Sequence, residues 1–218
     1  MTKRVLVGAV AWALAISAAF AEAPWQLLSS ERGITVTTRD EPGRDFPTFR
    51  GQGVLGVPVL QALAVVLDAR GAMEWAVGAD EVDLIRALDA RSVLLYTRNH
   101  APWPVSDRDL VVKRVVRVLR PAEEFRIDMA CIDGQRPKVK RAVRVTDCAS
   151  HFALRKVDAT RTHVEYQVSL DPSGSLPAWL VRWASKRIPF DTLVNLERQV
   201  KKSGTKYAAE VQAWAVAR

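Results

Sequence analysis

An α+β domain with helices and strands in separate blocks is expected for this chain of 218 residues, on three observations. Ala79 to Asp171 reads as consecutive strands with short turns, the pattern of an antiparallel sheet with one polar and one covered face. Ahead of it, Leu60, Leu63, Ala64 and Leu67 recur at helical spacing. Behind it, Trp179, Leu180 and Trp183 begin an apolar stripe that Phe190, Leu193, Val194, Leu196 and Val200 continue.

The elements follow in chain order. Residues 1–21 stand apart. Lys3 and Arg4 precede sixteen uncharged residues, and Ala19 and Ala21 occupy the small-residue positions before a cut. That is the layout of a secretory signal peptide. The competing reading is an uncleaved anchor, since a membrane span needs about 17–25 residues. The mature domain is then 22–218, in a periplasmic or similar exported compartment. Ala23–Gly33 reads as a short opening helix ended by Gly33, Ile34–Asp40 as a strand, and Pro42–Gly43 as a turn. Thr48–Val57 is a strand loosened by three glycines. Pro58 suits a first helical turn, Gly71 breaks that helix, and Ala72–Val77 suggests a second short one. Seven strands follow. The last alternates cleanly, with Val164, Tyr166, Val168 and Leu170 on one side. Leu176–Pro177 opens the closing helix, which Pro189 is expected to kink or break.

Losing Lys3 and Arg4 and no acid takes the net charge from +8 to +6. That favours anionic membrane surfaces, and export disfavours nucleic acid. Cys131 and Cys148 flank a strand–loop–strand connection, so an oxidising compartment permits a disulfide; two free buried thiols are the alternative. The three histidines do not cluster with a cysteine, so no metal site is expected.

One strand carries an anomaly. In Leu110–Val118, period-two alternation puts Leu110, Val112, Arg114, Val116 and Val118 on one face. That face is apolar except for Arg114. A charge on a covered face is costly unless paired or wetted. Arg114 therefore snorkels at an edge, pairs with an acid in the core, or lines a cavity. In the turn before it, each proline of Pro102-Trp103-Pro104 stiffens the chain. Asp107, Arg108 and Asp109 read as exposed, turn-closing charges.

The stretch LLYTRNHAPWPVSDRDLVVKR, Leu94–Arg114, resembles the central signature of START domains, the steroidogenic-acute-regulatory-protein-related lipid-transfer family. In that family a PWP turn with an RD pair leads into a long strand, and an arginine follows six residues after the RD arginine; here that spacing runs from Arg108 to Arg114. Gly174–Leu196 resembles the family's C-terminal helix, and the element order agrees over residues 24–205. The resemblance, to an exported bacterial member, implies a helix-grip fold: a curved antiparallel sheet around a hydrophobic tunnel, closed by a long C-terminal helix. It implies that Arg114 faces the cavity. One departure stands out. Where the sterol-binding branch has an acid near that arginine, this chain has Leu95 or Tyr96. That puts sterol in doubt and favours a phospholipid or fatty acyl ligand.

The expected function is non-catalytic binding, with transfer, of one hydrophobic ligand by a monomer that touches anionic membranes transiently. The ligand-binding candidates are Arg114, Val112, Val116, Tyr96, Met129 and Tyr166, with Trp179 and Trp183 on the closing helix. No cofactor is implied. A cyclase- or hydrolase-like enzyme, with Arg114, Tyr96 and Tyr166 polarising a carbonyl, is the alternative; a protein-binding scaffold ranks third.

Overall fold

The computed structural model describes residues 23–174 and 176–217, with only the backbone of Ala178. The expected leader, 1–21, lies outside the described residues.

The chain opens with a hairpin. Strands β1 (Gln26–Glu31) and β2 (Ile34–Arg39) pair antiparallel across Arg32–Gly33, both at positive φ, 52° and 74°. Such a turn matches the twist of the strands it joins. The expected opening helix is therefore a strand and a turn. A glycine in the left-handed region ends a helix or makes a hairpin equally well, and pairing with Ile34–Arg39 decides between them.

Eight more strands complete one sheet: β3 (Thr48–Leu55), β4 (Ala79–Ala87), β5 (Ser92–Asn99), β6 (Asp107–Arg120), β7 (Glu124–Cys131), β8 (Ala142–Val145), β9 (Cys148–Lys156) and β10 (Thr162–Leu170). The order is β1-β2-β3-β10-β9-β7-β6-β5-β4, and the ends do not meet, so the curved sheet stays open. Every neighbouring pair on that path is antiparallel. The exception off the path is β8, which runs parallel to the start of β6 from Asp107↔Ala142 to Leu110↔Val145. Only Thr146 and Asp147 separate β8 from β9, so β8 shares the direction of β9, which is that of β6.

Helices α1 (Val59–Leu67), α2 (Ala178–Ser203) and α3 (Ala208–Ala215), with a 3₁₀ turn at Gly71–Glu74, pack on one face, the inner face. Helix α1 is apolar nearly all round because it lies between the sheet and the other two helices. Phe125, Ile127, Leu154, Leu63, Leu193 and Leu196 share this core and are fully buried. Helix α2 runs through Pro189 without the break that was one of the two expected outcomes. Pro189 has no N–H for the ladder, and it lies directly on the sheet. A Cβ on Gly51 of β3 would fall 2.9 Å from the Pro189 Cβ and 3.0 Å from its carbonyl oxygen.

The outer face is covered over part of its width. A disulfide joins Cys131 to Cys148, with Cα atoms 5.0 Å apart. It closes the segment 132–147, which folds back over β5 and β6. Arg144 of that segment donates to Asp109 at 2.7 Å, and the two side chains are 2% and 0% exposed. Arg144 also donates to the carbonyls of Arg136 and Pro137, each at 3.0 Å. Asp109, expected at the surface, is thus an enclosed anchor. Gly51→Ala should destabilise the protein by about 1–3 kcal/mol, because helix backbone and sheet must part; a urea midpoint equal to that of the parent chain refutes the close seating of α2.

Candidate functional site

Strand register arranges the inner face into rows that cross the sheet. One row is Gly53–Val164–Leu154–Phe125–Val118, and the next is Gly51–Tyr166–Phe152–Ile127–Val116. Most of their side chains are fully buried under the helices. The third row is Phe49–Val168–Ser150–Met129–Arg114–Val93, and every member is only half-buried. Two rows form packed core, and the third is the floor of a part-covered trough.

Arg114 projects from this floor toward α1. Its Nη1 donates to the Val66 carbonyl at 3.4 Å, in the last turn of α1, where the helix presents its negative end. Burial pulls its pKa down to about 10, and Asp68 partly opposes the fall. The guanidinium stays charged at neutral pH. Among the described residues it has no ion pair. Asp68 is already occupied: it accepts from the Gly71 N–H at 2.9 Å, the Tyr207 hydroxyl at 2.8 Å and Lys206 Nζ at 3.1 Å.

Met129 lies directly across from Arg114 on β7. Tyr166 stacks on Phe152 at 4.5 Å. Burial pushes its hydroxyl up to about 12, yet the side chain keeps part of its surface open and its oxygen has no protein partner among the described residues. Val116 is packed into the core, and Val112 lies on the same face beside Cys131. Trp75, from the 3₁₀ turn, meets the edge of Phe152 at 6.1 Å, and its buried Nε1 has no acceptor among the described residues. Sequence reasoning missed Trp75; nothing in the pattern of Ala72–Val77 marks it.

Three expected site residues lie elsewhere. Tyr96 pairs with Val111, so its ring points to the outer face, opposite Arg114. There it lies under the Arg136 guanidinium, 3.6 Å from the ring centre, and Arg136 in turn pairs with Glu81 and Asp83. Trp179 and Trp183 are 50% and 46% exposed, one turn apart on the side of α2 away from the floor. Trp103 is 91% exposed on the turn between β5 and β6. Arg108 ties that turn to the lead-in of α2 through the carbonyls of Pro172 and Ser173, at 3.3 and 3.4 Å.

The chain matches the family model for the START domain over residues 8–206. It is 28% identical to the solved STAR-related lipid transfer protein fragment from Xanthomonas axonopodis, with a TM-score of 0.73 over 81% of this chain and 98% of that one. It is 26% identical to an uncharacterized Pseudomonas aeruginosa protein, over 82% of this chain and 87% of the relative. It is 25% identical to the phosphatidylcholine transfer protein of Rattus norvegicus, over 75% and 78%.

Helix α3, beyond the matched residues, is held at Asp68. Burial alone would raise the Asp68 carboxyl, but the bonds from Gly71, Tyr207 and Lys206 outweigh it and hold the pKa below the ordinary value. This contribution is complete above the unfolded carboxyl's pKa and is lost as pH falls through the lower folded value. Hydrogen bonds to a charged group contribute about 1.5–3 kcal/mol. Asp68→Ala should therefore speed hydrogen exchange in residues 206–215 about tenfold or more at neutral pH; unchanged protection there rejects the latch.

Proposed function

The chain belongs to the START domain family, and on that premise we propose that it binds one hydrophobic ligand in the inner-face trough and carries it without chemical change. The observation that carries this reading is the third row, half-covered across the sheet and carrying a cation, Arg114, that has no ion pair among the described residues. Burying an apolar ligand against Phe49, Val168, Met129 and Val93 gains about 25 cal/mol per Å². A few polar groups then set its orientation. The relatives named as lipid transfer proteins support the ligand class. A cyclase- or hydrolase-like reaction would have Arg114, Tyr96 and Tyr166 polarise one carbonyl. Tyr96 lies on the opposite face of the sheet from Arg114, under Arg136, which favours binding over turnover.

Export and membrane contact belong to the same reading. The leader-like residues 1–21 and the Cys131–Cys148 bridge both suit an oxidising compartment outside the cytosol. Trp103, Trp179 and Trp183 are open to solvent, and Arg182, Lys186 and Arg187 are exposed on the same helix as the last two. Tryptophan favours the membrane–water boundary, and each basic residue near an anionic surface contributes about 1 kcal/mol.

Native mass spectrometry with lipid extraction tests the binding. The purified mature protein should carry one amphiphile per chain; an empty protein from several expression hosts would overturn the reading. Flotation with phosphatidylglycerol-containing vesicles tests the docking. Binding should fall with added salt and drop severalfold in the Trp179→Ala/Trp183→Ala double variant, and binding indifferent to both rules out this surface.

A further inference from the structure

We propose that the Cys131–Cys148 disulfide is part of the floor of the ligand trough, where a bound ligand shields it from reductants and its reduction weakens the hold on the ligand. This rests on the lipid-binding reading above and adds a redox control to it.

Strand register puts the bridge on the inner face. Strands β7 and β9 pair from Glu124↔Arg155 to Ala130↔Ala149, and the next opposed pair in that register is Cys131 with Cys148. Side chains alternate along a strand. Cys131 therefore shares a face with Met129, and Cys148 with Ser150, both members of the third row. Ala130 and Ala149 point to the outer face. The bridge is the middle of a fourth row, Leu170–Cys148–Cys131–Val112–Leu95. Two residues along a strand span about 7 Å, so this row adjoins the part-covered floor. Its cover is uneven. Val112 and Leu95 are buried, whereas Leu170 and both cysteines are only half-buried. The trough is thus two rows wide over β10, β9 and β7, and the cystine lies in the wider half.

Reduction acts on this floor directly. Strands β7 and β9 end at the bridge, and β6 changes neighbour there, from Cys131 opposite Val112 to Val145 of β8 opposite Leu110. Strand ends open at low free energy, and the covalent link is what joins these two. With the link gone, segment 132–147 keeps the Arg144–Asp109 pair, so the loosening is confined to the fourth row and the third beside it. A ligand resting on both rows then loses a firm surface. The chemistry balances with an external dithiol. Its thiolate attacks one sulfur to give a mixed disulfide, and its second thiol displaces the cysteine. Two protein thiols form, and the reductant closes its own disulfide. Attack needs an open approach to a sulfur, and a ligand lying in the trough blocks it.

The test compares delipidated protein with protein reloaded with oleate or dioleoylphosphatidylglycerol, occupancy being counted by native mass spectrometry. A water-soluble phosphine gives two electrons to the disulfide and takes oxygen from water, and alkylation counts the two thiols formed. The loaded chain should be reduced severalfold more slowly than the empty one. Ser150→Phe, which sets a ring in the third row beside Cys148, should slow reduction of the empty chain in the same way; general stabilisation by a ligand has no such counterpart. The reduced chain, still folded by circular dichroism, should bind the retained probe about tenfold more weakly, and the probe should then lower the midpoint potential of the disulfide by about 30 mV. Equal reduction rates for empty and loaded chains, or no effect of Ser150→Phe, overturn the placement of the bridge in the site. Equal affinity of the oxidised and reduced chains, or ligand loss only through unfolding, overturns the redox control. Each of these leaves lipid binding intact. Retention of neither probe overturns the lipid-binding reading and this inference together.

Discussion

Pro189 rests on Gly51, and that contact sets where α2 can lie over the sheet. A helix stands off a sheet by the thickness of its side chains, but here one point has no side chain below and a rigid ring above. The contact holds the middle of α2 against the second inner-face row. Leu193, Leu196 and Val200 then fill the space beside α1 and become fully buried. The third row, one step further along the strands, is left with partial cover. The trough is thus what remains when a wide apolar face meets helices too few and too closely seated to cover it.

The outer face is organised by the pair Arg144–Asp109. Breaking a buried pair by removing one partner is strongly destabilising, because the other charge is left enclosed. The pair is therefore an efficient pin for a segment with little regular structure. The disulfide fixes the same segment at both ends, and Arg136 adds a third attachment over Tyr96. The charged residues after the PWP turn thereby serve architecture: Asp109 holds the covering segment and Arg108 holds the lead-in to α2. Both faces of the strand that carries Arg114 are braced, so the cation has a fixed address.

Sequence periodicity reached some of this and stopped at identifiable points. Parity within a single strand placed Arg114 with Val112 and Val116, and the alternation of Val164, Tyr166 and Val168 survives intact in β10. Tyr96 was misplaced because parity does not carry through a turn; its face depends on pairing with Val111 instead of Val112. Trp179 and Trp183 share a helix face, as their spacing demands, but spacing does not say which face meets the sheet. Leu180, between them in sequence, is the residue that turns inward. The four-residue strand β8 pairs with the start of β6, a pairing set by direction in space that periodicity does not reveal. Trp75 belongs to a turn too short for any period, so tertiary packing alone gives it a role.

The strand order also fixes a sequence of events in time. Strand β3 finds its second neighbour only in β10, where Leu55 faces Thr162 and Phe49 faces Val168, more than a hundred residues later. Pairings of such separation close large loops and are slow to form. The hairpin β1–β2 and strand β3 therefore have nothing further to join until the ribosome has released β10. The inner face cannot be roofed before α2 follows. A nascent chain of this topology keeps its inner face open until β10 has joined the two parts of the sheet, and the helix that follows commits the whole to a single shape.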